Sequence, residues 1–373
     1  MTLPGFELRL PAYGERSIAD VVPAVAAALG KRLDGPAPGL VLPPAPAYVV
    51  LLVDGLGQQL LERYAHAAPF LTSLRGGSGT AGVPSTTATS LTSLGTGLTP
   101  GQHGLVGYTA RVPETGELLN HLQWDRDVDP LAYQPHETAF DQLSALGIYV
   151  SAVNKKQFAT SGLTRAAHRG AAYRGADTPG DRLAQALEAA DGPSFTYVYD
   201  GELDKVGHQY GVASAEWLVE LQLIDEFAED LRSALPRSVR LLVVADHGMI
   251  DSPAASRVEL DRLSHLRRGV ALVGGEARFR HLYVKPGALD DVLAGWREEL
   301  GDRATVLSRD EAVERGWFGS VEARVAGRLG DVMVACHDDV AVFSTRDFPR
   351  EQQMVGLHGS LTRDEMEIPI LVG

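Results

Sequence analysis

Residues 195–211, FTYVYDGELDKVGHQYG, are the most informative stretch of the chain. The apolar run 195–198 predicts a buried strand, and the residues after it predict a helix. Asp204 and His208 stand four positions apart, so one helical turn presents a carboxylate and an imidazole on the same face. Both groups lie within reach of one cation. The stretch therefore predicts a strand that leads directly into a metal-binding helix.

Two further apolar runs end in residues of the same kind. Residues 48–53 run into Asp54, and residues 241–245 run into the pair Asp246-His247. A histidine near the end of the chain is followed by glycine and completes the set. In an open α/β sheet, residues beyond the carboxyl ends of the strands converge even when they are distant in sequence. The candidate metal ligands are Asp54, Asp204, His208, Asp246, His247 and His358.

Six ligands of mixed Asp and His character suit two divalent ions, with three ligands for each and open positions for water and substrate. Each residue alone has a structural alternative, because an aspartate after a strand often caps a helix and His-Gly sequences often form turns. Their occurrence after three separate strands favours the metal site. Histidines without that context are interpreted as surface or packing residues: His66, His121, His136, His168, His265, His281 and His337.

Apolar runs alternate with amphipathic segments through most of the chain. This alternation predicts an α/β fold with a doubly wound, mostly parallel central sheet flanked by helices. The predicted helices are 17–33 (with Ser17 as its cap), 58–65, 181–190, 215–235 and 289–300, and the predicted strands are 48–53, 148–153, 195–199, 239–245, 279–284, 332–336, 340–343 and a closing edge strand at 368–372.

The candidate ligands span most of the sequence, so both ends of the chain must contribute to one site. We therefore expect a single catalytic domain over residues 1–373. After His247 the pattern changes to a mixed α+β section, which predicts an insertion at about residues 254–355 between the metal motifs.

The bulk composition narrows the class of protein. The 373 residues are 45% hydrophobic, enough for a sizeable core, and 34 Lys and Arg against 48 Asp and Glu give a formal net charge of −14. This balance argues against an extended nucleic-acid surface. The single Cys336 excludes an intrachain disulfide. Residues 1–16 lack a signal-peptide pattern and no apolar run is long enough for a membrane span, so we expect a cytoplasmic protein.

The segment 84–94, PSTTATSLTSL, predicts a helix entered through hydroxyl-bearing residues. Free N–H groups at such a helix start favour an anionic group, and two metal ions nearby would activate a hydroxyl for attack on phosphorus. A polar helix face with a Ser or Thr cap is the structural alternative. Spacing alone does not choose among the candidates Ser85, Thr86, Thr87, Thr89, Ser90, Thr92 and Ser93.

Together these residues resemble the alkaline phosphatase superfamily and, within it, the type I phosphodiesterase and nucleotide pyrophosphatase family. The motifs that carry the resemblance are Asp54-Gly55, the 84–87 entry, TGLTPGQHG at 96–104, Asp204 to His208, Asp246-His247-Gly248 and His358-Gly359. Alignment on the 96–104 motif implies that Thr87 is the nucleophile, with Thr86 as the main rival, and that His103 is structural.

The resemblance also implies the cofactors and the intermediate. It implies two zinc ions, with Mn²⁺ or iron as alternatives, and a covalent phosphothreonine ester at Thr87. One ion is assigned to Asp204, His208 and His358, and the other to Asp54, Asp246 and His247.

The chain departs from the family pattern at two places that concern substrate. An aromatic residue that often follows the nucleophile is replaced by Ala88, and the asparagine expected after His-Gly has Tyr108 as its nearest match. Both departures weigh against a nucleotide substrate but leave the hydrolytic core intact. Tyr108, Asn154 and Lys155, with the adjacent Lys156, are candidate substrate contacts, with a surface or loop role as the alternative.

The sequence thus predicts a metal-dependent hydrolase of phosphate diesters or nucleotide pyrophosphates, acting on small molecules. A phosphomonoesterase, a phosphonoacetate-type phosphonate hydrolase and a phosphomutase of the same superfamily are the alternatives, and a non-catalytic metal-binding protein is a further one. No arginine lies beside Thr87, which favours diesters over more highly charged monoesters.

Overall fold

The computed structural model describes residues 8–373. Residues 1–7 of the segment that lacks a signal-peptide pattern therefore lie outside the described residues. In chain order the strands are β1 (Ala47–Val53), β2 (Arg75–Thr80), β3 (Thr109–Arg111), β4 (Leu118–Asn120), β5 (Tyr149–Asn154), β6 (Ala172–Gly175), β7 (Ser194–Asp200), β8 (Val239–Ala245), β9 (Ile250–Asp251), β10 (Arg257–Glu259), β11 (Val270–Glu276), β12 (Phe279–Val284), β13 (Ala304–Ser308), β14 (Val332–Cys336), β15 (Ala341–Phe343), β16 (Gly356–Leu357) and β17 (Glu367–Val372).

Helices flank and connect these strands. The α-helices are α1 (Val21–Ala28), α2 (Gln58–Arg63), α3 (Pro69–Ser73), α4 (Thr87–Thr96), α5 (Pro100–His103), α6 (Pro130–Tyr133), α7 (Ala139–Ala145), α8 (Gly162–Ala167), α9 (Pro179–Ala189), α10 (Glu202–Tyr210), α11 (Ala215–Ala234), α12 (Leu289–Leu300), α13 (Arg309–Glu314), α14 (Ala323–Ala326) and α15 (Arg363–Met366). Short 3₁₀ turns occur at Ile18–Asp20, Ala65–Ala67, Lys156–Phe158, Ala254–Ser256, Leu260–Arg262, Ser264–Arg267, Gly301–Arg303 and Glu351–Gln353.

A seven-stranded sheet of order β2-β17-β8-β1-β7-β5-β6 forms the centre of the molecule. Its five strands from β8 to β6 are parallel. All seven residues of β1 are buried, as expected for a central strand covered on both faces. The predicted doubly wound, mostly parallel α/β fold is confirmed.

The register of the three central strands determines where the site lies. Val53 at the end of β1 is opposite Asp200 of β7 and Ala245 of β8. The residues that follow these three positions therefore emerge at the same edge of the sheet, although they lie far apart in sequence.

A strand forms at the predicted residues 368–372, as part of β17, but the prediction that it lies at the edge of the sheet is wrong. β17 lies inside the sheet, antiparallel to both β8 and β2, and β2 forms the edge. The sequence of β2, RGGSGT, contains three glycines, no aromatic residue and a single β-branched residue, Thr80, so its pattern does not predict a strand. Packing requires two of its glycines, because a Cβ on Gly76 would lie 2.1 Å from the Ile370 carbonyl oxygen and a Cβ on Gly79 would lie 2.6 Å from the Arg16 carbonyl oxygen.

The predicted helix at 17–33 is shorter in the structure. A 3₁₀ turn precedes α1, which ends at Ala28. Ser17 lies at its start as predicted, and both its N–H and its hydroxyl donate to the Asp20 carboxylate. Glycine at position 30 adopts a φ of 72°, a conformation that ends a helix.

A second, four-stranded antiparallel sheet of order β11-β12-β14-β13 comes after Asp246 and His247 in the chain. Val292, Trp296 and Leu300 of α12 pack with its apolar residues in a separate cluster. We propose that this sheet is the centre of an insertion at about 254–355 within a single catalytic domain. Among residues 8–373, the structure contains no helix that combines the length and apolar character needed to cross a bilayer.

Candidate metal centre and active site

The six predicted ligands lie together beyond the carboxyl ends of the central strands. Asp54 directly follows β1, and Asp246 and His247 directly follow β8. Helix α10 begins two residues after β7 and carries the pair at positions 204 and 208. The last ligand, at position 358, directly follows β16.

One half of the cluster contains Asp204, His208 and His358. The His208 Nε2 atom lies 3.3 Å from Asp204 Oδ2 and 3.3 Å from His358 Nε2. His358 Nε2 lies 3.7 Å from Asp204 Oδ1. These three side chains offer one ligand atom each within 4.8 Å of one another, a spacing that one cation would bridge.

The other half contains Asp54, Asp246 and His247. The His247 Nε2 atom lies 3.4 Å from Asp54 Oδ1 and 3.4 Å from Asp246 Oδ2. Asp54 and His247 also form a three-residue ligand group with Asp204, which therefore belongs to both halves. The rings of His247 and His358 stack with centroids 3.7 Å apart. The two halves are thus directly adjacent.

Backbone hydrogen bonds orient all three imidazoles. The Nδ1 atom of His208 lies 2.7 Å from the Gly356 carbonyl, that of His247 2.9 Å from the Gly248 carbonyl, and that of His358 2.9 Å from the Ser85 carbonyl. A carbonyl oxygen only accepts hydrogen bonds, so each Nδ1 carries the proton. With Nδ1 as the donor, the Nε2 atom of each ring faces the cluster, which is the arrangement of metal-binding histidines.

The carboxylates supply further acceptors without donors. Asp54 Oδ1, Asp204 Oδ1 and Asp246 Oδ2 are buried and make no hydrogen bond within the described part of the chain. Buried acceptors without partners are costly, and a cluster that contains only lone pairs is stabilised by a positive charge. The donor set therefore fits divalent cations on the chemistry of its own atoms.

The electrostatics of the cluster also favour bound cations. Burial, followed by the negative charges of Asp246 and Asp204, raises the pKa of Asp54 well above its usual value. Burial also raises the pKa of Asp246, although His247 opposes the shift. Burial and the two neighbouring imidazoles lower the pKa of His358 well below its usual value. Cations would relieve the repulsion between the carboxylates, and the lowered pKa of His358 favours the neutral ring that binds a metal ion.

Tyr199 is a site residue that the sequence analysis missed. Its hydroxyl donates a hydrogen bond to Asp54 Oδ2, the carboxylate oxygen turned away from His247. A tyrosine at the end of an apolar strand is usually a packing residue, which is why its pattern gave no distinct signal. Its position five residues before Asp204 is the only sequence feature that links it to the site.

Thr87 begins α4, and its hydroxyl lies 3.3 Å from His247 Nε2. Three other hydroxyls of this segment have partners elsewhere: Ser85 donates to the Ser360 carbonyl, Thr92 donates to the Ala88 carbonyl, and Ser93 bonds His103. The hydroxyls of Thr89 and Ser90 are buried without a hydrogen-bond partner in the described residues, so neither bonds to a predicted ligand. The residue His103 is buried outside the cluster. The geometry therefore favours Thr87 among the candidate hydroxyls.

The three candidate substrate contacts lie outside the cluster. Tyr108 is half-buried, and burial raises its pKa while a hydrogen bond with Asn120 opposes the shift. Asn154 is buried and accepts a hydrogen bond from the Lys155 N–H. The Lys155 ammonium pairs with Glu202 and lines a cavity of about 420 Å³. In the described residues, none of the three bonds directly to a predicted ligand.

A doubly wound sheet presents a cluster of Asp and His side chains beyond its strand ends, beside a hydroxyl at a helix start. The model of one family, type I phosphodiesterase / nucleotide pyrophosphatase, matches residues 48–361. The chain belongs to this family, and the resemblance inferred from the motifs is confirmed. Members of the family are hydrolases of phosphoric esters that use two divalent metal ions.

Individual relatives are more distant. Ectonucleotide pyrophosphatase/phosphodiesterase family member 3 of Rattus norvegicus is 40% identical over 78 residues, which are 20% of this chain but only 9% of that protein. The solved structure of murine ectonucleotide pyrophosphatase / phosphodiesterase 5 is 18% identical, with a TM-score of 0.69 and coverage of 87% of both chains.

A second solved structure shares the fold to a similar degree. Phosphonoacetate hydrolase from Sinorhizobium meliloti 1021, in complex with phosphonoacetate, has a TM-score of 0.66 and 18% identity. The match covers 90% of this chain and 91% of that one. At this identity both solved structures establish the fold alone.

Proposed function

We propose that the protein hydrolyses phosphate diesters or nucleotide pyrophosphates on two zinc ions, through a phosphothreonine intermediate at Thr87. The observation that carries this proposal is the 3.3 Å contact between the Thr87 hydroxyl and His247 Nε2, at the edge of a cluster of unpartnered acceptors. A hydroxyl in this position faces both the ligand set and the start of a helix.

Asp204, His208 and His358 would hold one ion, and Asp54, Asp246 and His247 would hold the other. Two divalent cations, when bound, lower the pKa of a nearby hydroxyl or water and neutralise charge on the phosphate. The chain's own contribution is the orientation of these ligands by backbone carbonyls and by Tyr199.

In the first step the Thr87 oxygen loses its proton and attacks phosphorus, the bond between phosphorus and the leaving oxygen breaks, and the leaving oxygen of a diester takes up a proton to become an alcohol. Thr86, the N-cap of α4, makes no side-chain cap bond, so N–H groups of the first turn are available for a phosphoryl oxygen. In the second step water attacks phosphorus and releases Thr87 with its proton restored. The products are a phosphate monoester and an alcohol, or two nucleotides from a pyrophosphate-linked substrate.

A phosphonate hydrolase is the second candidate. Asn154 ends β5, and Lys155 and Lys156 follow it at the same edge of the sheet as the metal cluster, where a lysine suits a substrate that carries a carboxylate. The ion pair of Lys155 with Glu202 and that of Lys156 with Asp177 would have to open to bind it. We therefore rank this function below diester hydrolysis.

The decisive experiment compares hydrolysis of bis-p-nitrophenyl phosphate with that of p-nitrophenyl phosphate, on protein whose metal content is counted in the same preparation. We expect a strong diester preference with about two zinc ions per chain. Preference for the monoester would overturn the diester assignment in favour of a phosphatase. No turnover of either, together with hydrolysis of phosphonoacetate, would favour the phosphonate hydrolase.

Two finer expectations belong to the same proposal. Zinc is the proposed ion, with Mn²⁺ and iron as alternatives that elemental analysis would distinguish. A cytoplasmic location stays a prediction, which cell fractionation would test.

A further inference from the structure

Glu276, the last residue of β11, places a carboxyl group beside the proposed active site that the mechanism above does not use. Only 7% of the residue is exposed. Its side chain packs directly against Gly359, the residue after the ligand His358. A Cβ on Gly359 would lie 2.7 Å from Glu276 Cγ and 3.4 Å from its Oε1, so glycine at 359 is what admits this carboxyl.

The polar surroundings of Glu276 leave one oxygen unused. The Thr86 hydroxyl and the Tyr108 N–H both face the carboxyl group. Its Oε1 atom is nevertheless buried and makes no hydrogen bond within residues 8–373. Thr86 is the N-cap of α4 and precedes the proposed nucleophile. The free oxygen therefore lies next to the helix start at which a phosphoryl group would bind.

The Arg280 guanidinium, whose positive charge acts on Glu276, is already paired with another acid. It forms a bidentate ion pair with Glu351 and also donates to the Val342 carbonyl. Glu351 itself adds negative charge near Glu276. A carboxylate in this position would meet low dielectric, a second acid and an anionic substrate.

The protonation of Glu276 follows from these surroundings. Burial, with a smaller contribution from Glu351, raises the pKa of Glu276 to about 8, while Thr86, Arg280 and the Tyr108 N–H oppose the shift. At neutral pH the group is thus mainly a carboxylic acid, which can donate a hydrogen bond as well as accept one.

We propose that Glu276 is a substrate-binding residue whose O–H donates a hydrogen bond to a non-bridging oxygen of the phosphoryl group at Thr87. The proposal rests on the phosphoryl-transfer function proposed above. It explains why a buried acid with an unpartnered oxygen occurs against the metal-binding segment. A neutral donor stabilises the charge that accumulates on phosphate oxygens, whereas a carboxylate would repel it.

The test compares Glu276→Gln, which keeps a donor of similar shape, with Glu276→Leu, which has none. On bis-p-nitrophenyl phosphate at pH 7, we expect the Gln variant to stay within about threefold of wild type in kcat/KM and the Leu variant to lose about 100-fold. Wild-type activity should fall above about pH 8 as the acid ionises, and the Gln variant should not show that loss. Asp20→Asn, which alters a buried acid with a raised pKa outside the active site, is the matched control and should keep the wild-type profile.

A Gln variant as inactive as Leu, or a Leu variant as active as wild type, would overturn the proposal. Calorimetric measurement of inorganic phosphate binding to metal-loaded protein tests the same hydrogen bond independently of turnover. We expect about tenfold weaker binding in the Leu variant only, and equal binding in all variants would count against Glu276. Failure of wild type to hydrolyse any phosphoric ester would instead count against the proposed function.

Discussion

Arg278 and Glu365 form a bidentate ion pair in which both side chains are fully buried, with N–O distances of 3.0 and 2.7 Å. Arg278 lies in the β11–β12 turn of the second sheet, and Glu365 lies in α15 of the main fold. The Glu365 carboxylate accepts from the Ser360 N–H, and its backbone carbonyl accepts from the Gly248 N–H. One residue of the second sheet thereby supports the segments that follow both His358 and His247.

This pair should matter far more for stability than ion pairs on the surface. Arg278→Met leaves the Glu365 charge buried without its partner, and we expect a loss of about 3 to 5 kcal/mol in the free energy of unfolding, measured in urea. Arg297→Met is the surface control, because one Arg297 nitrogen binds both carboxylate oxygens of Glu311 at an exposed position. That control should lose less than about 1 kcal/mol. Equal losses would show that burial of the pair is unimportant.

Two adjacent threonines, Thr86 and Thr87, are the competing candidates for the nucleophile. Thr87→Ala should reduce diester turnover by at least about 10⁴-fold while two metal ions stay bound, since the attacking oxygen is removed but no ligand is. Thr86→Ala should retain substantial activity, because that residue lies at the N-cap. Turnover and metal content are measured on the same samples. Full activity in the Thr87 variant, with metal retained, would exclude it as the nucleophile.

Tyr199 should tune metal binding through Asp54. Tyr199→Phe removes the hydrogen bond that orients this carboxylate, and we expect metal affinity to fall by about 10- to 100-fold in a competition titration with a chelator. Tyr197→Phe is the matched control, because that hydroxyl is buried on the same strand without a hydrogen-bond partner in the described residues. Its affinity should not change. Unaltered affinity in the Tyr199 variant would contradict the orienting role.

The shared position of Asp204 predicts an asymmetry among ligand variants. Asp204 belongs to both three-residue groups, whereas His358 belongs to one. His358→Ala should therefore lower the metal content from about two ions to about one, and Asp204→Asn should weaken both sites. Metal content is counted after dialysis against a fixed free zinc concentration. Loss of a single ion in both variants would restrict Asp204 to one site.

Buried neutral histidines should make the fold sensitive to acid. Burial lowers the pKa of His168 to about 4, and its ring stacks on Phe140 with centroids 5.5 Å apart. An unfolded histidine titrates near pH 6.5, so the unfolded state binds more protons below that pH. The stability from this group is full above about pH 6.5 and is lost as the pH falls toward 4. His121 and His281 add to the effect, since burial lowers the pKa of each to about 4.

Urea midpoints at pH 7 and pH 5 measure this loss. His168→Phe should show a smaller decrease than wild type, because the aromatic contact stays and the titrating group is removed. His66→Phe, at an exposed position, should follow the wild-type curve. An unchanged decrease in the His168 variant would assign the acid sensitivity to other groups.

Local patterns carried most of the fold prediction. The strand at 239–245, the strand at 279–284 and the helix at 289–300 have their predicted bounds in the structure. These elements have strong apolar runs or amphipathic periods, which depend only on neighbouring residues. The glycine-rich β2 was missed for the opposite reason, since its pairing with β17 depends on a partner about 290 residues away in sequence.

The candidate site likewise has features that local sequence predicts and features that depend on long-range contacts. The convergence of five predicted ligands was predictable, because Asp54, Asp246 and His247 follow apolar runs, Asp204 and His208 stand at helical spacing, and parallel strands bring their carboxyl ends to one edge. His358 has no such local signal beyond the glycine that follows it. Other relationships arise only when distant segments pack together: the bond from Tyr199 to Asp54, the sharing of Asp204, the approach of Glu276 to Gly359 and the Arg278–Glu365 pair. Sequence encodes which groups a strand end carries, whereas their hydrogen-bond partners and charge states depend on burial and long-range contacts that exist only in the folded chain.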